Sequence, residues 1–331
     1  MHKTNWRRFG AALALVFTLA LAACSATGGR QATLAAAEGG GQVVDTPRIT
    51  IALITHAAPG DTYWDIVRKG AEEAALKDNV ELQYLSDPDG GRQSQLVDQA
   101  IDQGVDGIAV TLAKADAMAG AMQRATKAGI PMVSLNGGED KFKALGAFAH
   151  FGSNETLAGE AAGAEIKKLG AKHPLCVVHE QGNVGLEARC AGIKKAVPGT
   201  ELLYVQGTDM TQVQSTVTAK LQSDKTVDLA VGLNAPNTLT ILKAKAAAGS
   251  EAKVAAFDMN QDLVNAIKND EVAFTVDQQP WLQGYLAVDS LWQYERGGFQ
   301  LGGGQPTLTG PAIIDKERAE QISDFAAEGV R

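Results

Sequence analysis

The sequence predicts an α/β protein built as two doubly wound parallel-sheet lobes with a ligand cleft between them. Three observations carry this. From Arg48 onward, short apolar runs alternate with segments of helical periodicity, the pattern of right-handed βαβ units. The alternation starts afresh after His150. The stretch from Arg48 to Arg331 is long for one domain and comfortable for two.

The first strand is Ile49 to Thr55, an apolar, β-branched run of the kind buried on both faces of a parallel sheet. A helix follows over Tyr63 to Lys77, with Trp64, Val67, Ala71 and Ala75 at helical spacing. Val80 to Leu85 reads as strand, Ser94 to Gln103 as helix, and Gly107 to Thr111 as strand. Helix Asp116 to Ala128 and strand Ile130 to Leu135 complete the first series. Gly104 and Gly129 stand where left-handed residues end helices. The second series reads helix Leu157 to Leu169, strand Leu175 to His179, helix Leu186 to Ala196 and strand Leu202 to Val205. It continues with helix Thr211 to Gln222, strand Leu229 to Leu233, helix Thr238 to Ala248 and strand Lys253 to Phe257.

The two series echo each other in detail. Val105-Asp106-Gly107 precedes one strand and Val227-Asp228-Leu229 another. Each leads through a helix to a strand with a polar end, Leu135-Asn136 and Phe257-Asp258, at equal spacing. Two lobes of one architecture place a cleft at the carboxyl ends of their strands, where open α/β sheets bind ligands.

The N-terminus follows the grammar of an export signal. His2, Lys3, Arg7 and Arg8 precede an apolar stretch, Ala11 to Ala23, that is shorter than the roughly 20 residues of a spanning helix. Leu21-Ala22-Ala23-Cys24 resembles the bacterial lipobox, which implies cleavage after residue 23 and lipidation of Cys24. An ordinary cleaved signal with an incidental cysteine is the alternative. The segment 24–47 reads as a tether, rich in Ala, Gly, Gln and Thr and poor in large apolar residues. The expectation is an extracytoplasmic protein that touches the membrane through its lipid alone.

A net charge of −8, without any Lys/Arg block, argues against nucleic acid or an anionic surface as partner. After Cys24 is lipidated, Cys176 and Cys190 remain, and two thiols in an oxidising compartment are expected to form a disulfide. Two separate buried thiols are the alternative. Enzyme signatures are sparse. The sequence has no G-x-x-x-x-G-K-[ST] phosphate loop and no G-x-S-x-G elbow. Thr55 to Asp61 lacks the glycine pattern of a dinucleotide turn. Gly182-Asn183-Val184-Gly185 reads as a tight turn, and the five histidines show no metal spacing. His179-Glu180 is discounted as an acid–base pair because neighbours at a strand end point to opposite faces.

A different set gathers at strand ends and the loops beyond them: Asp61, Tyr63 and Trp64 after the first strand, Thr111 and Asn136 at the ends of later ones. In the second half the set is Arg189 in a helix, Asn234, Asp258 and Gln278. Asp, Asn, Gln and Arg offer the donors and acceptors that ligand hydroxyls require, and flat rings pack against the C–H faces of a sugar.

Almost all of the chain from Arg48 resembles the ribose-binding branch of bacterial periplasmic binding proteins of type I, which serve ABC sugar importers. Asp61-Thr62-Tyr63-Trp64 stands where that family often has Asn-Pro and two aromatics. Pro131 to Asn136 matches the strand that ends in a ligand-binding Asp, and Arg189-Cys190-Ala191-Gly192-Ile193 matches an Arg three residues before Gly-Phe. Leu233-Asn234, Ala255 to Asp258 and Gln278-Gln279-Pro280 match a strand-end Asn, a Gly-Phe-Asp segment and a Gln near the last crossing. Gly137 replaces a second Arg, Met210 takes a position often aromatic, and His56 and Asp61 add titratable groups. The ligand expected is therefore a neutral sugar, polyol or cyclitol other than ribose itself.

The resemblance implies a non-enzymatic, monomeric solute-binding protein with no cofactor and no metal, delivering its ligand to a permease driven by a separate ATPase. A sensory receptor that presents its closed form to a chemoreceptor or signalling kinase is the alternative. Crossings between lobes are implied near Gly152-Ser153, Gln278-Gln279 and Thr309-Gly310. The N-terminal lobe is then 48–152 plus 280–309, and the C-terminal lobe 153–279 plus 310–331.

Overall fold

The structure, a computed structural model, describes residues 44–331. The leader and Cys24 lie outside the described residues. In chain order the elements are β1 (Ile49–Thr55), α1 (Thr62–Lys77), β2 (Val80–Ser86), α2 (Gly90–Gln103), β3 (Gly107–Thr111), α3 (Ala115–Lys127), β4 (Met132–Leu135) and β5 (Ala149–Ser153). They continue with α4 (Glu155–Lys168), β6 (Pro174–Val178), α5 (Val184–Ala196), β7 (Glu201–Tyr204), α6 (Met210–Ser223), β8 (Leu229–Gly232), α7 (Ala235–Ala248) and β9 (Lys253–Phe257). The last are α8 (Gln261–Lys268), β10 (Thr275–Asp277), α9 (Pro280–Gly297), a 3-10 turn (Leu301–Gly304), β11 (Thr307–Gly310), β12 (Ala312–Ile314) and α10 (Lys316–Ala327).

Two six-stranded sheets result. The first has the order β2-β1-β3-β4-β5-β11 and is parallel throughout. The second has the order β7-β6-β8-β9-β10-β12, parallel except for the final antiparallel pair. Both sheets are covered on both faces. Along β1, Ile51 and Leu53 join one apolar cluster and Ala52 and Ile54 the other, all fully buried. Along β6, Leu175 and Val177 face one cluster and Cys176 and Val178 the opposite one. An unbroken apolar run therefore makes a strand because it has two interiors to fill.

The echo between the two halves has a physical cause. Asp106 accepts a hydrogen bond from the Thr50 backbone N–H (2.7 Å), and Asp228 accepts from those of Lys172 (2.6 Å) and His173 (3.0 Å). Each aspartate thus ties the entry of the third strand of its sheet to the entry of the first.

Several helices begin earlier than the hydrophobic periodicity predicts. Asp89, Asn154, Asn183, Asp209 and Asn234 each accept a backbone N–H of the first turn, so α2, α5 and α7 start at the residue after the cap. The cap, rather than the onset of hydrophobic periodicity, sets the boundary.

The chain passes from the first sheet to the second after β5, returns after β10, and passes again between β11 and β12. The helix made on the return, α9, packs on α1. A Cβ at Gly284 would lie 1.9 Å from the Val67 carbonyl oxygen, so only glycine permits this approach. Ala287, Val288 and Leu291 of α9 complete the cluster around Ile51 and Leu53. Among the described residues no helix is long and apolar enough to cross a membrane.

Candidate functional site

The carboxyl ends of both sheets meet across one cleft. β4 stops at Leu135 and the next residue, Asn136, has φ +65°; β9 stops at Phe257 and Asp258 has φ +60°. Asn and Asp tolerate this left-handed region better than other side chains. Each keeps its backbone N–H in the sheet, Asn136 donating to Phe151 O and Asp258 to Val276 O, both at 2.9 Å. Corresponding residues of two equivalent strands are thus held in the same special conformation on opposite walls of the cleft.

Asp61 and Asn234 are helix caps as well as cleft residues. Asp61 Oδ1 accepts from Tyr63 N (3.2 Å), while its Oδ2 accepts from Asn234 Nδ2 (3.1 Å), joining the end of β1 to the end of β8. Asn234 Oδ1 in turn accepts from Asn237 N at the start of α7 (3.0 Å). Burial pushes the Asp61 carboxyl up, against the hydrogen bonds from Tyr63 and Asn234.

Between these walls lies a cavity of about 150 Å³. From the first sheet it is lined by His56, Asp61, Tyr63, Trp64 and Asn136. From the second come Arg189, Met210, Asn234, Asp258 and Gln278. Thr111 is the exception among the sequence-derived candidates and is corrected here. It lies one layer back, its hydroxyl within 2.7 Å of His56 Nδ1 and accepting from Gln93 Nε2 (3.0 Å). It therefore orients His56 instead of lining the cavity. Burial holds His56 down to about 4, so the ring is neutral near pH 7.

The aromatic pair is not a free sandwich. Trp64 is 6% exposed and packs edge-on against His56 (4.8 Å) and Tyr63 (5.0 Å), while belonging to the core of its lobe. The Tyr63 hydroxyl donates to Gln283 Oε1 and accepts from Asn136 Nδ2, both at 2.9 Å. Tyr63 thus fixes Asn136 by way of a helix that arrives from the far end of the chain.

Arg189 is the most constrained group in the cleft. It donates from Nε to Glu155 Oε2 (2.5 Å), from Nη2 to Glu155 Oε1 (3.2 Å) and from Nη1 to the Leu233 carbonyl (3.1 Å). Its guanidinium also lies over the Phe257 ring at 4.8 Å. The forked contact needs α4 and α5 almost touching, and Gly192 permits it: a Cβ there would lie 2.6 Å from Thr156 O. Asp258 Oδ2 is 3.9 Å from Arg189 Nη1, and Asp258 accepts a hydrogen bond from Gln278 Nε2. Burial pushes the Asp258 carboxyl up to about 7, with Arg189 and Gln278 opposing.

Several cleft residues were not anticipated from sequence. Glu155, in the first turn of a helix, carries the ordinary signature of a side chain complementing the helix dipole. Lys114 and Glu180 form an ion pair at 2.9 Å between the loop after β3 and the loop after β6. His179 and Glu180 both line the cavity, contrary to the expectation that they point apart. The strand ends at Val178, so the alternation of faces no longer applies to them. Burial holds His179 down to about 4.

Cys176 Sγ and Cys190 Sγ are bonded, linking the middle of β6 to the helix that carries Arg189. Away from the cleft, His173, Glu201 and Asp224 converge, and Lys220 Nζ already bridges Glu201 (2.7 Å) and Asp224 (3.0 Å). Chemically, the cleft offers paired donors and acceptors from both walls around a small volume. It holds no isolated nucleophile beside a base, among the described residues.

A family model described as a periplasmic binding protein domain matches residues 51–298, and the chain belongs to that family. A carbohydrate transporter from Acidothermus cellulolyticus 11B, solved in complex with myo-inositol, is 46% identical, covering 86% of this chain and 100% of that one with a TM-score of 0.85. A periplasmic sugar-binding protein of an ABC transporter from Legionella pneumophila is 29% identical, covering 79% and 99%, with a TM-score of 0.73. The D-apiose import binding protein of Paraburkholderia graminis is 27% identical over 73% of this chain and 79% of its own.

Proposed function

We propose that this periplasmic binding protein captures a cyclitol, myo-inositol in the first place, or a neutral sugar of similar size, and presents it to an ABC permease. The observation that carries the reading is the convergence of Asp61, Asn136, Arg189, Asn234 and Asp258 from two sheets on one cavity. Five planar polar groups, with Trp64 and Met210 between them, suit a ring that carries hydroxyls around its whole edge. The 46% identity to a protein solved with myo-inositol favours the cyclitol over an open-chain polyol. No chemical step is assigned, in keeping with relatives described as transport proteins.

Ligand contacts from both walls stabilise the closed form, and the difference in affinity between open and closed forms sets the shift. In this reading the N-terminal lobe comprises 48–152 plus 280–309 and the C-terminal lobe 153–279 plus 310–331. The protein works as a monomer outside the cytoplasm, anchored by lipid on Cys24, and the ATPase is a separate subunit. Cys24→Ala should move it from the membrane fraction to the soluble one.

Thermal melting against myo-inositol and a panel of neutral sugars tests the reading. Ligand at 100 times its dissociation constant adds about 2.7 kcal/mol of stability. A melting temperature unmoved by every member of the panel overturns the proposal.

A further inference from the structure

We propose that a second cavity beside Asn136 and Glu155 is a subsite for an ammonium-bearing substituent, so that the cleft also accepts an amino-substituted cyclitol or sugar. This rests on the reading of the main cavity as a ring-binding site.

The second cavity measures about 300 Å³, against about 150 Å³ for the main one. Asn136, Glu155 and Gly185 line both, so a group projecting from a ring in the first reaches the second directly. Its polar side chains are mainly acceptors, with the carboxylates of Glu139, Asp140 and Glu155 and the hydroxyl of Ser153 on its walls. Neither Lys nor Arg lines it, among the described residues.

Most of these acceptors are already engaged. Glu155 is held by Arg189, Asp140 lies 3.4 Å from Lys141 Nζ, and Glu139 Oε1 accepts from Asn154 Nδ2. Glu139 Oε2 and Ser153 Oγ remain, both buried and without a partner in the protein. Ser153 is itself fully buried, at the point where the chain leaves β5. Unpaired buried polar atoms are costly, so two of them on residues lining one cavity mark a place built for a donor. An ammonium offers three donors and no acceptor, which matches such a wall better than a hydroxyl does. Its charge also answers the local field: burial, with Glu155 and Asp140 adding to it, pushes the Glu139 carboxyl up to about 7.

Titration calorimetry of the full chain at neutral pH, with myo-inositol and with an amino-deoxy-inositol as probes, tests this. In Glu139→Gln the affinity for the amine should fall roughly tenfold while that for myo-inositol changes less than about twofold. Ser153→Ala, a small change that spares the fold, should weaken the amine several-fold in the same selective way. Binding of both probes with equal losses in Glu139→Gln overturns the subsite. Binding of myo-inositol alone overturns it too, and leaves the main reading standing. Binding of neither probe to the unaltered chain overturns both.

Discussion

Lys114 and Glu180 meet at 2.9 Å across the cleft, one from the end of each sheet, with side chains 27% and 24% exposed. Two more contacts span the same gap, Asp61 with Asn234 (3.1 Å) and Thr62 with Asn260 (3.3 Å). All three bridge the two sheets, so in the proposed binding cycle each contributes to the free energy of closure. Lys114→Met should therefore weaken ligand binding by up to several-fold, the ~0.2–1 kcal/mol of a partly exposed pair. The change should fall mainly on ligand release and shrink at high salt. Stopped-flow dissociation at two ionic strengths checks this; an unchanged release rate would remove the pair from the closure mechanism.

Arg189 and Glu155 form a different kind of pair, 5% and 9% exposed at their side chains. Removing one partner strands a buried charge, at a cost of about 3–5 kcal/mol. Arg189→Ala should thus lower the stability of the free protein as well as its affinity. Glu155→Gln should do the same, since it leaves the guanidinium without its fork partner. Chemical denaturation of the unliganded variants is the measurement, and a loss of affinity at full stability would assign Arg189 to ligand contact alone.

Asp258 gives a pH dependence of definite sign. Its folded pKa, pushed up to about 7, lies above the ordinary carboxylate value, so the native state holds its proton more tightly than the unfolded chain. That contribution is fully present below about pH 4 and is lost as pH rises to about 7. Asp258→Asn, which can still accept from Gln278, should gain stability relative to the unaltered protein between pH 5 and 8. Denaturant midpoints at those two values check it, and a constant difference would show that Asp258 is ionised throughout.

Cys176 and Cys190 are 14 residues apart, and their bond restrains the unfolded chain by about 3 kcal/mol in the chain-entropy model. Cys176→Ala should lower stability by that order while leaving the cleft residues in place. Mass spectrometry of exported protein alkylated without reductant should find neither thiol labelled.

Much of this architecture is legible in sequence, and the reason is local. β1, β3, β6 and β9 are apolar but for their threonines and the exposed Lys253 that opens β9, because they are buried on both faces, and they stand out in any window. Asn136 and Asp258 are legible as polar residues ending such runs. What sequence hides depends on partners far along the chain. β11 and β12 are four and three residues long and exist only through pairing. Glu155 looks like any acidic residue in a first helical turn until α5 places Arg189 beside it. Lys114 and Glu180 are ordinary loop charges until the fold brings the ends of the two sheets together. Thr111 shows the opposite error, a strand-end polar residue whose hydroxyl serves His56 and Gln93 instead of the cavity.

The return of α9 to α1 bears on how the molecule comes into being. The cluster around Ile51 and Leu53 is completed by Ala287, Val288 and Leu291, made nearly the whole length of the chain later. During synthesis and export the first sheet must wait, one face unsealed, while β6 to β9 are already complete and able to pair. Assembly order therefore runs against sequence order, and the part made first is finished late. A fragment stopped after Ser153 would carry an open apolar face and lack an edge strand. For the same reason the first sheet cannot be taken as one continuous piece of chain: 49–153 needs α9 and β11 with it.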